Sequence, residues 1–415
     1  MLFESTGHEG TKPESGGQCR VMRILIVHNT LNDSRSVNGV LRHYALMARS
    51  WTASGHPTDF LAARAAQPQL AELAPGSLLI SSDGIFNATK RIERTWAYFP
   101  AYAYRIMTAY LARLPETYDV VIASSQLIVE TQAAWTLARR VRARFAVKIH
   151  HVLQAQVKRT SWYDRLFLAS ERYSCRLIHR HADAIFCSVG GVAEDYHRLE
   201  RQLGLEPREV VLSGYGLDFE TIEPASGGFR PYDVLFLGRM HEQKGVFDLP
   251  RYWRSVREAL PDARLIVIGE GPHRSRAMQA CRELGLGNSV TFTGGVDDRR
   301  KNDLLRQAKT GISLSYEEGW GLSICEYMAA GLPVVAYRLP VFERVFPGQL
   351  DEVGLGNWRE AAVRTVGWLR DEGKRRERAE AGRRFIVRYD YREVARNELS
   401  AIQALSESRL KPRAG

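Results

Sequence analysis

Two glutamates, Glu318 and Glu326, stand seven residues apart in the stretch EEGWGLSICEYMAAGLPVVA (317–336). Carboxylates near the start of a helix can bind sugar or ribose hydroxyls while adjacent backbone N–H groups face a phosphate. Earlier in the chain lies GRMHEQKG (238–245), directly after an apolar run. There Gly238 permits a close turn, and Arg239 and Lys244 bring two cations to it. Cations and backbone donors at a strand-to-helix corner are what a diphosphate needs. GEGP (269–272) supplies a second glycine corner, equally compatible with nucleotide contact and with an ordinary turn. Neither this corner nor MRILIVHN is a G-x-G-x-x-G fingerprint, which argues against a nicotinamide dehydrogenase.

These residues need a scaffold, and the chain alternates short β-branched runs with longer amphipathic stretches. MRILIVHNT (22–30) opens a set of strands continued near 116–125 and by FAVKIHH (145–151), ADAIFCSV (182–189) and REVVLSGYG (208–216). A helix over 39–56, ending near Gly55, follows the first strand. The Gly- and Pro-rich stretch 219–231 reads as a linker. A second set follows it: YDVLFLGR (232–239), ARLIVIGEG (263–271), SVTFTGGV (289–296), TGISLS (310–315) and LPVVAY (332–337). Strands alternating with helices imply parallel sheets covered on both faces. The expected fold class is α/β: two doubly wound Rossmann-like domains facing each other across a cleft, the default ligand site. The domain over 22–217 is expected on the acceptor side, and that over 218–395 on the nucleotide side. A helix and basic tail over 396–415 are expected to cross back to the first domain. Residues 1–21 read as a disordered leader, with no apolar core of the kind a signal peptide has.

The 415 residues suffice for two domains with a large core. No apolar run approaches the ~18 residues of a membrane span. Five scattered cysteines without C-x-x-C spacing argue against a disulfide scaffold or zinc site and suit a reducing, cytoplasmic compartment. A net charge of +11 suits anionic partners, but no RNA-binding signature or Cys/His finger is present, so nucleic acid is not expected. RRVRARFAVK (139–148) reads as a solvated helix face running into a strand. Residues 90–113 mix basic residues with Trp96, Tyr98, Phe99, Tyr102, Tyr104 and Tyr110, a pattern shared by a helix packed on the first sheet and one touching a membrane surface. Ser323 and Glu326 have the S-x-x-E spacing of a capping box, which gives Glu326 a structural reading beside the ligand one; Glu318, in its Gly-Trp-Gly loop, has none.

Taken together and in order, these motifs resemble family GT4 of the retaining, GT-B fold glycosyltransferases. SYEEGWGLSICEYMAAGLPVV (315–335) resembles its E-x7-E signature, and Gly238, Arg239, Lys244 and Gly245 fit its G-R-x-x-x-x-K-G segment. The likeness spans nearly all of residues 22–400. It implies that a nucleotide sugar, UDP-, GDP- or ADP-linked, is the donor and that a hydroxyl is the acceptor, whether lipid-linked, on a polysaccharide or on a soluble small molecule. Arg239 and Lys244 would neutralise the diphosphate, Glu326 would bind the ribose and Glu318 the donor sugar. Gly238, Gly321, Leu322 and Ser323 would line the phosphate or sugar, and Gly39 would let the N-terminal loop approach the diphosphate. His150, chosen over His151 because it follows the strand first, would contact the sugar from the other domain.

The resemblance implies retention of anomeric configuration, with donor phosphate assisting deprotonation of the acceptor. No D-x-D pair is present, so no metal is required, though magnesium could screen the nucleotide; Asp297 and Asp298 read as a turn or helix cap. Two departures stand out. NGV (38–40) replaces a Gly-Gly pair, and RLPVFERVF (338–346) lacks the usual second pair, with Glu343 in the acidic position. The alternatives are a non-catalytic sugar-nucleotide-binding module and a GT-B fold phosphorylase. The place expected is cytoplasmic, with peripheral contact at the inner face of an anionic membrane as the open alternative.

Overall fold

The structure is a computed structural model that describes residues 21–29, 39–81, 98–153, 162–222 and 230–408. Residues 1–20, Asn38, Trp96 and the tail from 409 lie outside the described residues, as do most of the 219–231 linker and the start of the 90–113 stretch.

The first sheet holds seven parallel strands: β1 (Ile24–His28), β2 (Thr58–Ala62), β3 (Leu79–Ser81), β4 (Val120–Ala123), β5 (Arg144–Ile149), β6 (Ala184–Cys187) and β7 (Val211–Leu212), in the order β3-β2-β1-β4-β5-β6-β7. The second holds six: β8 (Tyr232–Leu237), β9 (Leu265–Ile268), β10 (Val290–Gly294), β11 (Ala308–Ser313), β12 (Val334–Tyr337) and β13 (Asp351–Val353), in the order β10-β9-β8-β11-β12-β13. Parallel strands need helical crossovers, so helices cover both faces and the central strands are apolar on both sides. All five residues of β1 are buried. The two doubly wound domains of a GT-B fold are therefore present.

Several sequence expectations change in detail. REVVLSGYG yields only a two-residue strand at Val211–Leu212, because Gly214 and Gly216 turn the chain toward the second domain; Gly214 has φ +77°, and a Cβ at Gly216 would lie 2.5 Å from the Met47 side chain and 2.9 Å from the Tyr391 backbone. Strands β2, β3 and β13 escape the sequence reading, β13 being the short polar run DEV. Ser323 is not a cap. The helix runs Leu322–Ala329 and its N-cap is Gly321 in the left-handed region, so Ser323 lies inside the first turn and the capping-box reading of Glu326 fails. Lys148, expected at the end of a solvated basic run, is fully buried.

Order reversal fixes where ligands can enter. In the second sheet the direction of winding switches between β8 and β11, which pair in parallel from Ala308↔Tyr232 to Ile312↔Phe236. Loops leaving these two strands on the same edge diverge and leave a crevice. Those loops are 238–245 and 316–321. The helix Tyr391–Ser408 packs on the first sheet's helix Gly39–Ala53, and Trp51 Nε1 donates to the Ala395 carbonyl at 2.8 Å.

Candidate active site at the interdomain cleft

The crevice between β8 and β11 brings Lys244 and Glu318 together. Lys244 Nζ lies 2.5 Å from Glu318 Oε1, and Ser315 Oγ donates to the same oxygen at 2.8 Å. Glu318 Oε2 has no hydrogen bond among the described residues and is available to a ligand hydroxyl. The backbone makes this possible. Gly245 caps the 3-10 turn Glu242–Lys244 with φ +68°, and a Cβ there would stand 2.0 Å from the Leu314 carbonyl oxygen. The lysine loop thus lies directly on the end of the strand that launches Glu318, and Tyr316 N–H donates to the Gln243 carbonyl at 2.8 Å. The GEGP corner is as tight. A Cβ at Gly269 would meet the Gly238 carbonyl oxygen at 1.9 Å, and one at Gly271 the Met240 carbonyl oxygen at 2.6 Å. Arg239 is exposed beside them, and its guanidinium makes no hydrogen bond or ion pair with the described residues.

Glu326 sits one helical face away and is held by Lys301, whose Nζ lies 2.5 Å from Glu326 Oε1. The same ammonium is 2.6 Å from Asp298 Oδ1, and Asp298 pairs with Arg42 of the first domain. Burial pulls the Lys301 pKa down, but Glu326 and Asp298 more than offset it, and the net shift is upward. Burial likewise pushes the Asp298 carboxyl up, and Lys301 and Arg42 more than reverse this. Asp297 caps the helix Asp298–Arg306 by accepting from Arg300 N at 2.7 Å, as one half of the turn-or-cap reading required. Asp298 departs from that reading.

The first domain closes the other side. Gly39 opens its helix against the helix of Glu326: a Cβ at Gly39 would touch Leu322 Cδ1 at 3.2 Å. His150 follows β5 and is buried; its Nε2 lies 2.8 Å from the Ser124 carbonyl oxygen. Its Nδ1 is buried and has no hydrogen-bond partner among the described residues. Burial first, then the nearby Lys148 charge, holds its pKa well below 6.5, so the ring is neutral. Tyr215 packs 5.1 Å from the His150 ring and 5.7 Å from Trp320, joining the two domains. His151, not His150, lines a cavity of about 280 Å³ with Val152, Gly191, Glu317, Glu318 and Arg344. Arg344 crosses the cleft to Glu194 at 3.0 Å. Glu343 is exposed on the short helix Pro340–Val345.

The sequence motifs Arg239, Lys244 and Glu318 thus converge on one crevice, with Glu326, Gly321, Leu322 and Ser323 on the adjoining helix start. Sequence reasoning missed Lys301, Asp298, Arg42 and Ser315. Only Ser315 had a signal, as the last residue of a strand reading into the glutamate loop. Among the described residues no cluster of three or more His, Cys, Asp or Glu side chains could hold a metal ion.

A doubly wound pair of domains with this cleft defines a GT-B fold protein. Residues 220–385 match the family model described as Glycosyl transferases group 1. It is similar to the phosphatidyl-myo-inositol mannosyltransferase of Mycobacterium leprae, 33% identical over 212 residues, covering 50% of this chain and 56% of that one. It is also similar to the D-inositol 3-phosphate glycosyltransferase of Streptomyces scabiei, 25% identical over 291 residues, covering 65% and 64%. The chain spans just over half the length of the mannosyltransferases it matches. Among solved structures, the fold resembles Anabaena HepE in complex with UDP and glucose, with a TM-score of 0.70 at 17% identity, covering 92% of this chain and all of that one. It also resembles sucrose-phosphate synthase of Thermosynechococcus elongatus, with a TM-score of 0.73 at 16% identity, covering 93% and all of that chain.

Proposed function

We propose that this protein is a retaining glycosyltransferase that moves a sugar from a nucleoside diphosphate to a hydroxyl acceptor. The observation that carries this reading is the Lys244–Glu318 contact at the switch point of the second sheet. It sets a cation for the leaving diphosphate 2.5 Å from a carboxylate for the sugar. In this reading Arg239 and Lys244 neutralise charge as it builds on the leaving phosphate, the main electrostatic demand of the reaction. The amides of Gly321, Leu322 and Ser323 lie at a helix start, where an anion is favoured. Glu326 receives the ribose hydroxyls and Glu318 those of the donor sugar. The buried, unpartnered Nδ1 of His150 is an acceptor awaiting a donor, and a sugar hydroxyl would satisfy it. A phosphate oxygen takes the acceptor's proton as the glycosidic bond breaks, so no carboxylate acts as a covalent nucleophile. Among the described residues no cluster calls for a metal in this scheme. The named substrates of the similar proteins, an inositol phospholipid and an inositol phosphate among them, make a phosphorylated polyol or lipid-linked acceptor the class to test first.

Calorimetry with UDP, GDP and ADP, then their common sugar conjugates, tests the donor site. One nucleotide should bind in the micromolar range, about tenfold or more weaker in Arg239→Ala and Glu326→Ala. Folded protein that binds none would overturn the reading. Nucleotide binding without release of nucleoside diphosphate from any conjugate would favour the binding-module alternative. Sugar 1-phosphate formation would favour the phosphorylase.

One surface supports the finer reading of a membrane-facing acceptor. The helices Tyr98–Leu111, Ile128–Val141 and Trp162–His181 lie side by side. Met107, Tyr110, Leu111 and Leu166 are exposed on them, as are Arg139, Arg140 and Arg172, and Arg140 lies over the Tyr110 ring. Apolar side chains among arginines suit the surface of an anionic bilayer. No helix among the described residues is long and apolar enough to cross a membrane. Sedimentation with phosphatidylglycerol vesicles, but not with phosphatidylcholine vesicles, is expected; equal partition into both phases' supernatants would sink this part.

A further inference from the structure

The ion pairs around Glu326 form a chain that leaves the donor site and ends in the other domain. Lys301 Nζ holds Glu326 Oε1 at 2.5 Å and Asp298 Oδ1 at 2.6 Å. Asp298 in turn is met by Arg42, four residues into the cleft-facing helix Gly39–Ala53. All four side chains are more covered than exposed: 19% exposed for Arg42, 35% for Asp298, 11% for Lys301 and 17% for Glu326. Such pairs are screened less than surface ones, and a shared ammonium fixes two carboxylates at once. The helix Asp298–Arg306 that carries the middle of the chain also reaches the interdomain crossover: Asn302 Nδ2 donates to the Thr221 carbonyl at 2.6 Å. It therefore touches the second domain's ligand carboxylate, the crossover and the first domain.

We propose that Lys301 is a positioning residue for Glu326 and that Arg42, through Asp298, makes this positioning depend on the closed arrangement of the domains. This rests on the reading of Glu326 as the carboxylate that receives ribose hydroxyls. A glutamate on a flexible side chain binds a diol well only when its rotamer is set beforehand. Lys301 sets it by occupying Oε1, and leaves Oε2 for the ligand. Lys301 is itself contested, because Asp298 attracts the same ammonium. Arg42 relieves that competition by neutralising Asp298. When the domains part, Arg42 withdraws, Asp298 draws Lys301 toward itself, and Glu326 is released from its binding geometry. Domain closure and a well-set nucleoside site then favour each other, and by linkage a bound nucleotide favours closure by the same factor.

The test compares each of UDP, GDP and ADP with its 2′,3′-dideoxy counterpart by calorimetry on the full chain, because only the ribose hydroxyls report on Glu326. For the nucleotide that binds, the ribo form should be favoured about tenfold or more. Lys301→Met should collapse that preference to about twofold while leaving dideoxynucleotide affinity within about twofold. Arg42→Gln, a change in the opposite domain, should reduce the preference by about threefold. Arg49→Gln, on the same helix but outside the chain, should leave it unchanged. Equal loss of both nucleotide forms in Lys301→Met would mean that the lysine merely supports the fold, and would overturn the proposal. An unaltered preference in Arg42→Gln would overturn the link between domains. The underlying reading fails separately: a full ribose preference retained in Glu326→Gln would show that the hydroxyls are bound elsewhere.

Discussion

Lys148 and Glu398 meet 2.5 Å apart with both side chains fully buried, though 250 positions separate them in the chain. Lys148 stands on β5 of the first domain and Glu398 on the helix Tyr391–Ser408, which follows the second domain. The ammonium also donates to the Gly214 carbonyl at 2.7 Å and lies 2.9 Å from His43 Nε2. Burial lowers the Lys148 pKa, and Glu398 counters this only in part. The pair therefore fastens the end of the chain to the first sheet at the crossover between domains. Losing one partner strands the other in an apolar core, which costs about 3–5 kcal/mol. Lys148→Met is expected to destabilise by that amount in urea unfolding. Lys148→Met combined with Glu398→Leu should recover most of it, since paired apolar replacements are often neutral. A double variant as unstable as the sum of the singles would refute this account.

Acid should unfold the protein earlier than its carboxylates alone require. His43 and His150 are buried; desolvation first, then the Lys148 charge, holds both well below 6.5. Unfolded, each takes up a proton near pH 6.5; folded, neither does until far lower. The stability contributed by these neutral rings is thus complete above pH 6.5 and is lost as pH falls below it, at up to about 1.4 kcal/mol per pH unit per histidine. Between pH 7 and 5 each should contribute a loss of about 2 kcal/mol. Urea titrations at the two pH values should show His150→Gln losing about 2 kcal/mol less than the parent, and an identical loss would rule this contribution out.

What the sequence disclosed follows from which forces are local. Strands β1, β8 and β9 were legible because parallel strands buried on both faces carry apolar runs, here ILIV, VLFL and LIVI. β13 was not, because an edge strand such as Asp351–Val353 takes its pairing from Val335–Tyr337 and carries little apolar signal of its own. The lysine corner and the two glutamates were legible because glycines with fixed backbone requirements bracket them. Ser323 misled because S-x-x-E spacing is a local rule, while the turn at Gly321, with φ +98°, was dictated by the loop leaving β11. Lys301, Asp298 and Arg42 had no signal at all: an Asp and a Lys three apart on a helix are ordinary surface neighbours until another domain packs over them.

Gly245 and Gly319 offer a contrast within one site. Alanine at Gly245 combines a positive φ with a Cβ 2.0 Å from a backbone oxygen, so the loop must move and carry Lys244 with it. Gly245→Ala should lose about 1–3 kcal/mol of stability and weaken nucleoside diphosphate binding. A Cβ at Gly319 meets nothing within 4 Å, and Gly319→Ala should stay within about 0.5 kcal/mol of the parent. Thermal melts of the two variants check this; equal melting points would show that the Gly245 loop yields more easily than its contacts imply.

Lys244 and Glu318 touch, yet they should fail differently when changed. In the proposed reaction Lys244 offers charge to the leaving diphosphate both before and during transfer. Its loss removes a charge-assisted contact of about 1.5–3 kcal/mol, so Lys244→Met should weaken nucleoside diphosphate binding about 10- to 100-fold. In the same reading Glu318 serves the sugar, and the nucleotide alone does not need it. Glutamine there keeps the shape and can still accept from Ser315 and Lys244, while removing the negative charge beside the reacting carbon. Glu318→Gln should leave nucleoside diphosphate affinity within about threefold, and should lower the rate of sugar transfer about 10²- to 10³-fold, the range seen when one electrostatic contact to a transition state is removed. Calorimetry and transfer assays on the two variants give a crossed pattern if the roles are as stated. A parallel loss of binding in both would mean that the pair acts as one structural unit, with Glu318 serving chiefly to hold Lys244 in place.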